Sequence, residues 1–190
     1  MKREAINYET LNQITDAISS SKELDDVAAQ IVHSMTYALG LKGCVLMLLD
    51  RKTNELRVAA ADGLSQAYLD KGPLSAKKSI AASLSEGPVA IYDIEDDPRL
   101  QYPDEAKREG IKSIMSAPLV LRGKSLGVLR LYTAEPWEFT TQDVIFIQAV
   151  AQIVALLVDN LRMYKGLKSS IDVLKVMRPQ PKPTKRTLHE

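Results

Sequence analysis

The chain has 190 residues, 45% of them hydrophobic and 26% charged, which is the balance of one ordinary globular domain that needs no disulfide or metal to hold its core. Lys and Arg number 25 against 24 Asp and Glu, so net charge selects neither nucleic acid nor an acidic substrate. One cysteine, Cys44, excludes an internal disulfide framework, and two histidines, His33 and His189, exclude a Cys/His zinc cluster.

The start, MKREAINYETL, is too polar for a signal peptide. The longest apolar stretch, Val144 to Val158, is broken by Gln148 and Gln152 and falls short of the roughly 20 residues of a membrane span. The expected location is the cytoplasm. Leu11, Ile14 and Ile18 recur at helical spacing and predict a bundle helix over residues 1–19. Ser20 and Glu23 fit a capping box for a second helix that runs to about Leu39, with Leu24, Val27, Ala28, Ile31, Val32 and Met35 on one face. Gly40 ends it.

From Gly43 the period changes. GCVLMLLD and ELRVAAAD flank a polar turn at residues 50–54 and read as a β-hairpin. Residues 65–110 are turn-rich, with a short helix expected at Ser79 to Ser85, a strand at Val89 to Asp93 and a helical turn at Pro103 to Glu109. Two strands follow, Ile111 to Arg122 and Ser125 to Thr133, with Pro118 marking a bulge or an edge. Thr140 with Asp143 caps a last helix that nothing breaks before Pro179, about 35 residues and about 52 Å long. A helix of that length overhangs its own core, so residues 163–177 form an extension. The tail, residues 178–190, is basic, proline-rich and expected to be disordered.

The last helix is apolar on two faces. Ile147, Val150, Val154, Leu157, Leu161 and Tyr164 step by three and four as a coiled-coil seam, and Phe146, Ala149, Ile153 and Leu156 form a second stripe. One stripe can cover the sheet and the other needs a partner. The expectation is a homodimer through Leu11, Ile14, Ile18, Val150, Val154, Leu157, Leu161 and Tyr164.

The succession LGLKGCVLMLLDRKTNELRVAAADGLS, SIAASLSEGPVAIYDIEDDPR, EGIKSIMSAPLVLRGKSLGVLRLYT and FTTQDVIFIQAVAQIVALLVDN resembles a GAF domain over residues 20–162. The resemblance implies an α+β fold: a central antiparallel sheet of five or six strands, terminal helices on one face, and small helices and loops over a pocket on the other. It also implies a sensor, and members of the family differ in what they sense. The cyclic-nucleotide motif of the family is absent, because no Asn-Lys pair occurs and both phenylalanines, Phe139 and Phe146, follow Asp104-Glu105. Cys44 has no neighbouring histidine for a bilin site, and one thiol cannot run the relay of the methionine-sulfoxide-reducing members. His33 falls at the edge of an amphipathic helical face rather than reading as a haem ligand, and the acidic run at residues 93–97 reads as a solvated loop. No metal and no cofactor is therefore expected.

A small organic ligand remains. In SLGVLRLYT, alternation puts Val128, Arg130 and Tyr132 on one face and Leu129 and Leu131 on the other. If the leucines meet the helices, Arg130 and Tyr132 face the pocket, where a guanidinium can clamp a carboxylate or phosphate. Tyr102 and Ser113 would add hydroxyls and Asp93 a counter-charge, unless Arg130 simply pairs with Asp93 or another acid. The reading is a non-catalytic small-molecule sensor acting on a separate effector protein. A ligand-free dimerisation adaptor is the alternative. A weaker one is nucleic-acid contact through Lys165, Lys168, Lys175, Arg178, Lys182, Lys185 and Arg186. The mixed overall charge argues against nucleic acid, and the sequence against a membrane.

Overall fold

The computed structural model describes residues 12–16, 23–72, 74–75, 87–95 and 97–177. Its six strands are β1 (Gly43–Asp50), β2 (Glu55–Asp62), β3 (Leu74–Ser75), β4 (Val89–Ile91), β5 (Ser113–Leu121) and β6 (Lys124–Thr133). They form one antiparallel sheet in the order β3-β2-β1-β6-β5-β4. The described helices are α1 (Leu24–Ala38), α2 (Gln66–Leu69), α3 (Pro103–Glu109) and α4 (Thr141–Met177), with a short helical segment at 12–16. This is the α+β arrangement that the family resemblance implied. Ser20 of the proposed capping box, a helix at 79–85 and a basic tail at 178–190 lie outside the described residues, as do Leu11 and Ile18, whereas Glu23 is itself the N-cap of α1 and makes no side-chain capping bond.

Local chemistry explains the joints. β5 and β6 are linked through Arg122 and Gly123, both at positive φ (51° and 71°), which gives the two-residue turn whose twist matches paired strands. Pro118 sits in β5 beyond the last residue paired with β4 and next to an irregularity at Leu119/Val120, where its missing N–H costs no ladder bond. Gly127 is required by close approach, since a Cβ there would stand 2.1 Å from the Met47 carbonyl of β1. The α4 cap is reciprocal: the Asp143 N–H donates to Thr140 Oγ1 (3.2 Å), and the Thr140 N–H donates to Asp143 Oδ2 (2.8 Å).

The sheet separates two apolar layers. On one face Cys44, Leu46, Met115, Ala117, Leu119, Leu129 and Leu131 pack against Val27, Ile31 and Met35 of α1 and Ile147, Val150, Val154 and Val158 of α4. On the other face Val45, Met47, Ile114, Val128 and Tyr132 pack against Tyr68, Ile94, Ala106 and Ile111 from the turn-rich middle segment. Fully burying an aliphatic side chain contributes about 1.5–3 kcal/mol, so the larger helix-side layer holds most of the stability.

This packing corrects the assignment of the two α4 stripes. Val150 and Val154 are completely buried against the chain's own sheet, and Ile14 is buried in the same layer. Leu157 and Leu161 are half-buried at the margin, while Tyr164 lies exposed beyond it. Val150, Val154 and Ile14 are therefore core, and the surface left uncovered is the opposite one, with Ile145 and Leu156 more than half or half exposed. A periodic pattern marks two apolar faces without saying which one the sheet takes. From Arg162 to Met177 every residue is exposed, so the helix does run past its core. By length and composition α4 could cross a membrane, yet its most apolar part, Phe146 to Val158, is the part that covers the sheet.

Candidate ligand site on the small-helix face of the sheet

Directly paired residues of antiparallel strands project to the same face, and register therefore places every candidate. Arg130 stands opposite Ser116 of β5 and Val45 of β1, and Tyr132 stands opposite Ile114 and Gly43. Arg130 and Tyr132 thus share the face covered by the middle segment, as alternation predicted, and Leu129 and Leu131 face the helices.

Arg130 is buried, 4% exposed, and its Nε–H donates to Ser116 Oγ at 3.0 Å. The Tyr132 hydroxyl is hydrogen-bonded to both Arg130 and Tyr68, and its ring meets the Tyr68 ring edge-on with centroids 5.8 Å apart. Burial pushes both phenols up, so both stay neutral and act as hydroxyl donors or acceptors.

Tyr68 is placed by two short helices. Ser65 caps α2 by accepting from the Tyr68 N–H at 3.2 Å, and Ser65 is itself held by Glu109 of α3, which accepts from the Ser65 N–H at 2.8 Å. Just past α2, Lys71 folds back. Its ammonium lies 3.6 Å from the centroid of the Tyr68 ring and donates to the Tyr68 carbonyl at 2.8 Å. Burial lowers the Lys71 pKa from 10.5 to about 8, with the positive Arg130 adding to the fall and Glu105 and Glu109 opposing it. The two cations therefore feel each other across the site.

Lys71 and Tyr132, with Met47, Leu56, Leu69 and Leu74 among others, line a cavity of about 20 Å³ that Arg130 and Tyr68 do not line. That is about the space of one water. The outer rim is set by Tyr102, whose hydroxyl would stand 3.0 Å from a Cβ added to Gly72 and which accepts from Gln101 Nε2 at 3.1 Å.

Two predicted members do not join this group. Ser113 lies one residue out of phase with Ile114 and Ser116 and so projects to the helix face. Its hydroxyl donates to the Tyr92 carbonyl at 2.6 Å and accepts from the Trp137 N–H at 2.8 Å, tying three segments together. Asp93 is exposed beyond the end of β4, accepts from the Glu95 N–H at 3.0 Å and makes no bond to Arg130. The serine that meets Arg130 is Ser116, which the same alternation identifies once the two strands are paired in register. Lys71 and Tyr68 carry no strand or helix pattern in sequence and are placed by the cap at Ser65.

The residues weighed for other chemistries lie elsewhere. Cys44 is fully buried on the helix face, and desolvation, with Asp62 adding to it, pushes its thiol up and leaves it unreactive. His33 is exposed, with Nδ1 3.2 Å from Asp62 Oδ1. Among the described residues no three His, Cys, Asp or Glu side chains converge as a metal set.

Sheet order and the two layers that cover it define an α+β class of domain with long helices on one face and short helices and loops on the other. The family model for the GAF domain matches residues 21–159, and the chain belongs to that family. Its fold superposes on the GAF domain of a phosphoenolpyruvate-protein phosphotransferase from Coxiella burnetii with a TM-score of 0.76 and 22% identity, covering 86% of this chain and 99% of that one. In sequence it is 23% identical over 179 residues to a formate hydrogenlyase transcriptional activator of Salmonella typhimurium. It is 27% identical over 169 residues to a methyl sulfide methyltransferase-associated sensor of Methanosarcina acetivorans. The matches take in 87% and 84% of this chain but only 25% and 17% of those curated relatives.

Proposed function

We propose that this chain is a non-catalytic regulatory module, cytoplasmic and homodimeric through its terminal helical layer, that senses a small organic anion between Arg130 and Lys71. The observation that carries the reading is the placement of the buried Arg130, the partly buried Lys71 and two buried tyrosines on one face of the sheet, with Lys71 and Tyr132 lining a small apolar cavity. An anion seated between the two cations relieves their mutual repulsion and gains charge-assisted hydrogen bonds from the guanidinium and the ammonium. Ser116 holds the guanidinium in place through Nε, and the cation–π contact holds the ammonium. Similarity to an activator and to a sensor supports a regulatory role. Output runs from the sheet to α4, whose exposed extension reaches a separate effector protein. The ligand moves that equilibrium only by binding one helical state more tightly than the other.

Thermal-shift measurement against acetate, malonate and phosphate tests the reading. A dose-dependent rise in the unfolding midpoint that Arg130→Met abolishes is the expected result. A rise that persists in Arg130→Met and Lys71→Met places the anion elsewhere.

A ligand-free docking adaptor is the second reading, and the cavity, about the size of one water, favours it. No midpoint shift with any of the three anions would decide for the adaptor.

A further inference from the structure

A lysine is a nucleophile only as the free amine, and burial beside another cation holds it in that form. Lys71 is half-buried and lines the small apolar cavity together with Tyr132, Met47, Leu56 and Leu69. Its Nζ lies 3.6 Å from the centroid of the Tyr68 ring and donates to the Tyr68 carbonyl at 2.8 Å, so two contacts with one residue fix the nitrogen. The charges that face it are Arg130 from β6 and Glu105 and Glu109 from α3, and the Tyr68 phenol beneath it is neutral. Both carboxylates have partners of their own. Glu105 Oε1 is 3.2 Å from Arg108 Nη2, and Glu109 accepts from the Ser65 N–H at 2.8 Å. Arg130 is the buried charge of the set, and Ser116 takes its Nε–H.

With its pKa at about 8, about a tenth of Lys71 is free amine at pH 7, against well under a thousandth of an ordinary lysine. The cavity then sets the size of the reagent. Space for about one water suits a triatomic electrophile that ends up bonded to Nζ better than it suits a free dicarboxylate.

On the site proposed above, we infer that Lys71 takes up carbon dioxide as a carbamate, and that this covalent anion is the one stabilised by Arg130. The free amine attacks the carbon of CO₂. A C–N bond forms as one C–O π bond opens onto oxygen, and the nitrogen gives one proton to solvent. The products are a carbamate and a proton, and nothing is oxidised or reduced. The carbamate nitrogen keeps one N–H for the Tyr68 carbonyl. Lys71 passes from cation to anion in the step, so its interaction with Arg130 turns from repulsion to attraction. Burial disfavours the carbamate as it does the ammonium, and the guanidinium decides between them.

Chemical trapping on the full chain tests this. The protein is held in bicarbonate buffer at about pH 7.5, alkylated with triethyloxonium, which fixes a carbamate as its ethyl ester, and mapped by peptide mass spectrometry. The N-terminal amine, with an ordinary pKa of about 7.7–8.0, is the internal reference, because it offers a similar free-amine fraction without the site. The expected result is Lys71 as the most heavily trapped amine, several-fold above that reference, with the exposed Lys52 and Lys107 unlabelled. Arg130→Gln is expected to cut the trapping of Lys71 several-fold. Lys71 trapped no more than the reference would overturn the inference, and that comparison needs no variant to fold. Equal trapping of Lys71 in Arg130→Gln would also overturn it. Titration with acetate and phosphate in buffer stripped of CO₂ separates this inference from the free-anion reading. Anion binding there, with Lys71 untrapped in bicarbonate, overturns the carbamate alone. A trapped Lys71 without anion binding supports the carbamate and removes the free anion.

Discussion

The two faces of the sheet are built from the same strands and differ in chemistry. Towards α1 and α4 the strands present Leu, Met, Ala and Cys, a layer closed by aliphatic packing. Towards α2 and α3 the alternate residues include Arg130, Ser116 and Tyr132, and the covering segment adds Lys71 and Tyr68. Aliphatic packing supplies stability without any need for a ligand. A buried cation near a second cation is a cost in the empty domain, and an anion removes it. On the function proposed above, stability belongs to one face and recognition to the other.

Substitutions on the two faces of β6 should therefore separate these quantities. Leu131→Ala, on the helix face, is expected to cost about 2–5 kcal/mol in denaturant unfolding and to leave anion affinity unchanged where the chain is still folded. Its neighbour Arg130→Met should do the reverse. Anion affinity by calorimetry falls about 100-fold, while stability stays level or rises by about 1 kcal/mol, because a buried charge gives way to an apolar chain of similar length. Equal loss of stability in both variants would collapse the comparison.

The serines sharpen it. Ser113→Ala, which strands the Trp137 N–H and the Tyr92 carbonyl, is expected to cost about 1–2 kcal/mol with no change in anion binding. Ser116→Ala frees Arg130 Nε and should weaken the anion a few-fold with a smaller stability change.

Lys71 gives the smallest effect and a distinct pH signature. Its folded pKa of about 8 lies below the ordinary 10.5, so between those values the unfolded chain binds more protons and stability rises with pH. Lys71→Met should flatten that rise and stabilise the chain near pH 7 by about 1 kcal/mol, a figure reduced for the partial exposure of the ammonium. Denaturant midpoints followed from about pH 7 to about pH 11 check it.

Much of this was legible in the sequence, and the failures have physical causes. Alternation in SLGVLRLYT placed Arg130 and Tyr132, because a strand side chain has only two directions to point. Ser113 was assigned to the wrong face because the pairing of β5 with β6 is a long-range property: one residue of register exchanges Ser113 for Ser116. Lys71 and Tyr68 were invisible because they sit in a turn-rich segment and owe their position to the Ser65 cap and to Glu109, 44 residues away. Both stripes of α4 were found, but the one assigned to a dimer seam supplies Val150 and Val154 to the core. Hydrophobic period locates an apolar face, and only packing tells which one the sheet has taken.

The most direct test of the account is calorimetric titration of the unaltered chain with acetate, malonate and phosphate at about pH 7 and about pH 9.5. The account predicts binding at the lower pH that weakens several-fold at the higher one, as Lys71 gives up its proton, with the pH dependence gone in Lys71→Met. Binding of equal strength at both pH values, or pH dependence that survives in Lys71→Met, would contradict it.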